Sequence, residues 1–130
     1  MTYYISKTVN KPFEAVIADV TSRLKEQGFG VLTDIDVQAT LKSKIDVDVA
    51  KYRILGACNP RFAHEALQIE DKLGVLLPCN VIVRETPDHT VEVASVDPVA
   101  AMERTGNSAL RSTAEEVRRR LTNVVSQIGS

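Results

Sequence analysis

The chain has no surplus of charge of either sign: 16 basic residues stand against 17 acidic ones, a formal charge of −1 over 130 residues. Without a basic surplus there is no footprint for a phosphate backbone, so nucleic acid is not an expected partner. No apolar run approaches the roughly 20 residues a membrane span requires. The start, MTYYISKTVN, carries no apolar stretch or cleavage pattern behind a basic end. These absences predict a cytoplasmic protein with no membrane partner. Cysteine is scarce too. Cys58 and Cys79 are too few for a disulfide scaffold and form no Cys-x-x-Cys motif, and His64 and His89 stand at no zinc spacing. A metal site is therefore not expected. A Gly-rich phosphate loop, a Ser-His-Asp order and an HExxH pattern are all missing, so no common enzyme signature names a reaction or a cofactor.

What is present is an ordinary globular balance, 44% apolar and 25% charged, at a length suited to one domain with one core. Residues 3–9 mix β-branched and aromatic side chains and read as a strand. Beyond Pro12, Phe13, Val16, Ile17, Val20 and Leu24 recur at helical spacing, and Gly28 suits the left-handed residue just past a helix end. Residues 29–35 predict a second strand with Val31, Thr33 and Ile35 on one face and Leu32 and Asp34 on the other. Asp36 then caps a short helix over residues 37–45. Residues 52–58, YRILGAC, predict a third strand, and Asn59-Pro60 a cap and first turn for a helix over residues 60–71. Residues 75–86 and 90–96 read as an antiparallel hairpin turning at Pro87, Asp88 and His89. Asp97-Pro98 repeats the cap-then-proline signal for a short helix that Gly106 ends. The last helix is the clearest, with Leu110, Ala114, Val117, Leu121, Val124, Val125 and Ile128 on its apolar stripe.

Five strands with one long helix after the first and another at the end predict an α+β two-layer sandwich. Its sheet is mostly antiparallel and five-stranded, with one face covered by helices. An alternating parallel βαβ arrangement is the rival, which the hairpin weakens. The strand around residues 76–83 is apolar on both sides, so the second sheet face is expected to pack on the short helices or on a second subunit.

Three segments, GFGVLTDIDV at residues 28–37, YRILGACNP at 52–60 and LLPCNVIVRE at 76–85, resemble the domain-of-unknown-function family 302 over most of the chain. The resemblance implies a β-α-β(4)-α two-layer fold like that of TATA-binding-protein-like domains, here with short extra helices, often assembled as a homodimer. It implies no established activity.

Two Cys-Asn pairs, each beside a proline, stand out: Cys58-Asn59-Pro60 and Pro78-Cys79-Asn80. In the first, a strand gives way to a helix whose free N–H groups and positive dipole end suit an anion. In the second, Pro78 removes a ladder donor and marks an edge, a strand start or a bulge. Three readings of the thiols stay open: inert packing, the lining of a ligand pocket, and redox or metal chemistry. Asp34 either sits in solvent or turns toward the pocket. Asp36 and Asp97 read as caps, Arg84 and Glu85 as strand surface charges, His64 and His89 as surface. The Arg118-Arg119-Arg120 run, one turn after Glu115 and Glu116, reads as a solvated face. The leading expectation is a small homodimeric binding module that holds a small polar or anionic ligand at Cys58, Asn59, Cys79, Asn80 and Asp34. The alternatives are a thiol-dependent enzyme or redox protein using Cys58 or Cys79, and a purely structural assembly domain.

Overall fold

A computed structural model of the chain describes residues 2–130. The order is β1 (Tyr4–Val9), α1 (Phe13–Glu26), β2 (Gly30–Asp36), α2 (Val37–Ile45), β3 (Tyr52–Cys58), α3 (Pro60–Ile69), β4 (Cys79–Glu85), β5 (Val91–Val96), α4 (Pro98–Glu103) and α5 (Arg111–Gln127). The strands form one sheet in the order β1-β5-β4-β3-β2, and all four neighbouring pairs are antiparallel. This is the expected α+β two-layer arrangement, with α2, α3 and α4 as the additions to its β-α-β(4)-α frame.

Local chemistry accounts for the boundaries. α1 ends in a Schellman turn: the N–H of Phe29 donates to the Leu24 carbonyl at 2.9 Å and that of Gly28 to Lys25 at 3.0 Å. Gly28 takes φ +88°, a conformation that costs glycine nothing. The Asp36 carboxylate accepts the N–H of Ala39 at 2.9 Å and starts α2, and Asp97 accepts those of Val99 and Ala100 at the start of α4. Between α3 and β4 the chain makes a short 3-10 helix over Leu73–Leu76, and Leu77-Pro78 is cis. The strand expected from residue 75 therefore begins only at Cys79, because the turn and Pro78 deny the sheet its earlier donors.

One face of the sheet carries the main core. Val81, Val83 and Val93 from the sheet, Val16, Val20 and Leu24 from α1, and Leu121 and Val124 from α5 are buried together. A second, smaller cluster joins Ala66 and Leu73 to Val99, Met102, Leu110 and Ala114, tying α3 and α4 to the start of α5. The opposite sheet face is not sealed. Tyr4 and Ile35 are exposed and Ile54 and Ile82 half-exposed, while Arg84 and Glu92 pair across it at 2.7 Å.

β2 corrects the simple alternation expected of it. Val31 stands opposite Ala57 and Thr33 opposite Gly56, so Leu32 is an extra, unpaired residue. A bulge of this kind reverses which face each later residue takes. Val31 and Thr33 point to opposite sides, and Thr33 Oγ1 occupies the space a Gly56 side chain would need; Pro78 Cγ would lie 2.8 Å from a Cβ there.

Candidate functional site

β3 ends at Cys58, and Asn59 turns the chain into α3 by accepting the N–H of Phe62 at 3.4 Å, with Pro60 in the first turn. Across the sheet, Ala57 is paired with Cys79, the first residue of β4. The antiparallel register therefore sets the two Cys-Asn segments side by side. α3 then stands away from the sheet. Of its ten residues only Ala66 is buried, and a cleft of about 350 Å³ opens beside it. Phe62, Ala66 and Leu67 line it from α3, and Phe29, Leu32 and Pro78 from the sheet end.

Three of the five residues singled out in the sequence meet here: Cys58, Asn59 and Cys79 all line the cleft. Asn80 and Asp34 do not. In β4, Cys79 turns toward the core, so Asn80 turns to the other face, where it is exposed beside Tyr52 and Ile82. Asp34 pairs with Leu55, three residues along β3 from Cys58 and so about 10 Å away at strand spacing. There its carboxylate takes the Arg53 guanidinium, with Nε at 2.8 Å. Leu32, Met102 and Thr113, which also line the cleft, were not foreseen. Leu32 arrives through the bulge, which no local signal announces. Thr113 was visible as the residue just before Ala114 on the inward stripe of α5.

The family model described as "Domain of unknown function DUF302" matches residues 5–128. The chain belongs to the DUF302 family. A crystal structure of an uncharacterized conserved DUF302 protein from Bacillus stearothermophilus superposes with a TM-score of 0.92, covering 98% of this chain and 99% of that one at 24% identity. That likeness carries the fold. No curated protein matches the chain.

In this DUF302 domain the cleft is strongly apolar, and its few polar groups are arranged unevenly. Burial pushes the Cys79 thiol up to about 11, and the nearby Cys58 adds to the rise. Cys58 itself is half-exposed. Thr113 gives its hydroxyl hydrogen to Glu65 at 2.9 Å. The Asn59 carbonyl oxygen is taken by the helix cap, whereas its amide Nδ2 has no protein acceptor among the described residues. Among the described residues no three metal-ligating side chains gather, and no helix is long and apolar enough to cross a membrane.

Proposed function

We propose that this DUF302 domain is a small-molecule binding module whose site is the cleft between α3 and the end of the sheet. The observation that supports this reading is the cleft itself: a hollow of about 350 Å³, apolar on nearly every side, beside the paired Cys58-Asn59 and Cys79 segments. That volume is within the usual range of ligand pockets. The lining calls for a ligand with an apolar body, where the residue types alone had suggested a polar or anionic one. A thiolate enzyme built on Cys79 is less favoured, because a thiol pushed up to about 11 is almost wholly protonated near neutral pH.

The test uses the neutral dye N-phenylnaphthylamine, whose fluorescence rises in apolar surroundings. The wild-type protein should bind it saturably and slow the alkylation of Cys58, and Ala63→Trp, which fills the cleft, should do neither. Unsaturable dye binding, or equal binding by Ala63→Trp, would sink the reading.

A second reading rests on a separate observation, the open sheet face bearing Tyr4, Ile35, Ile54 and Ile82. Apolar side chains spread over several strands are what a subunit interface covers, so the domain is read as a homodimer joined through this face. Ile82→Asp should then halve the mass found by light scattering. A wild-type protein that stays near 14.3 kDa at high concentration would refute it.

A further inference from the structure

We propose that the ligand of the cleft is an uncharged molecule with a compact hydrocarbon body, about the size of two fused rings, and that the cleft rejects ions of either sign. The inference rests on the binding reading above and adds the chemical class that the walls admit.

Charge is missing from the walls themselves. None of the described residues that line the cleft is Asp, Glu, Lys, Arg or His. The polar side chains among them are Asn59, Thr113 and the two thiols, and the protein already engages two of these. The Asn59 carbonyl oxygen caps α3 at the N–H of Phe62, and the buried Thr113 gives its hydroxyl hydrogen to Glu65. The Arg120 guanidinium lies over the Phe62 ring at 5.0 Å but does not line the cleft; Glu116 and the Gln27 carbonyl hold it, each at 3.0 Å. A carboxylate or ammonium entering the hollow would lose water and meet no countercharge, a cost that a neutral molecule escapes. Cys79 shows this penalty from within the wall. Burial pushes its thiol up to about 11, so the neutral form is the one these surroundings keep.

What the walls offer instead is apolar, polarizable surface. The rings of Phe29 and Phe62 and the thioether of Met102 all line the cleft, and such groups pack well against a flat ring system. A dry apolar cavity of about 150 Å³ takes one benzene. A cleft of about 350 Å³ therefore suits two fused rings. Leu32 and Leu67, 69% and 37% exposed, are the apolar lining on its open side.

Competition against bound N-phenylnaphthylamine at neutral pH tests this with naphthylmethanol, naphthoate and naphthylmethylammonium, which share the ring system and differ only in the charge of the head. In wild type, the alcohol should displace the dye at a concentration about tenfold or more below that needed by either ion. Leu67→Lys places one cation on the wall, at a position exposed enough to leave the thermal midpoint nearly unchanged. It should narrow the gap between naphthoate and the alcohol and leave naphthylmethylammonium the weakest of the three. Displacement by either ion as readily as by the alcohol in wild type, or a gap for naphthoate that Leu67→Lys does not narrow, would overturn the uncharged class while dye binding upholds the cleft. Failure of the dye and of all three ligands to bind would overturn both.

Discussion

α5 and α3 lie against each other, carry apolar stripes of similar regularity, and have met opposite fates. Along α5, six of seventeen residues are buried, and Leu121 and Val124 press into the sheet. Along α3, only Ala66 is buried, and Phe62 and Leu67 border open space. The difference lies in what stands opposite. α5 packs on β1 and β5 and against α1, so its inward side closes the main core. α3 hangs over the end, where β3 and β4 give way to a turn. A periodic stripe thus says which side of a helix looks inward and leaves open whether anything fills the space it looks into. One helix closes the core, and the other leaves a hollow beside it.

The contrast is broken most directly at its strongest point. Leu121→Ala should cost about 2–5 kcal/mol, since a fully buried side chain leaves a cavity. Leu67→Ala, at a residue 37% exposed on the cleft, should cost under about 1 kcal/mol. Urea midpoints read both, and equal shifts would erase the distinction between the helices.

Next in size is a pH effect at the boundary between the two regions. Cys79 is protonated in the folded protein up to about 11, against 9.0 for an ordinary thiol. A folded-state pKa raised above the unfolded one contributes stability that is complete below the lower value and lost as pH rises to the higher. Folding should therefore weaken between pH 9 and 11, by up to about 3 kcal/mol from this group. Cys79→Ala should lose less over that window, and parallel stability curves would mean the thiol is not shielded from water.

The smallest effect belongs to the wet side of α5. Arg119→Ala should leave the midpoint almost unmoved, as exposed ion pairs do. It should nevertheless raise the pKa of Glu116, which the hydrogen bonds of Arg119 and then Arg120 hold at about 2. A titration of Glu116 followed by NMR in the variant would reveal an unmoved carboxyl and so refute the pairing.

These contrasts mark how far the sequence could be read. The stripe of α5 is buried at all seven of the positions its spacing singled out, because a 3.6-residue period over a long helix is a strong local signal. Asn59, Asp36 and Asp97 cap the helices their spacing implied, since capping needs only a short side chain one turn away. The cleft was half legible. Cys58 and Cys79 meet through strand register, which the prolines and the hairpin hint at. Asn80 was lost to the alternation of β4, and Asp34 to an arginine on the neighbouring strand. Both depend on which face a residue takes, and that is settled by pairing across the sheet.

The unpaired Leu32 in β2 has a consequence for how this chain tolerates change. It divides the strand into two stretches of opposite phase: before it Val31 shares a side with Ala57, and after it Thr33 leans over Gly56 while Asp34 reaches Arg53. Loss of that one residue would do more than shorten an edge. Any realignment would force one stretch to exchange its two sides, placing Thr33 where an apolar neighbour belongs or dragging Asp34 off its guanidinium. Point changes at Leu32 alter only the rim of a hollow, whereas a deletion there rewrites the strand's orientation, so the strand depends on length at this position more than on identity.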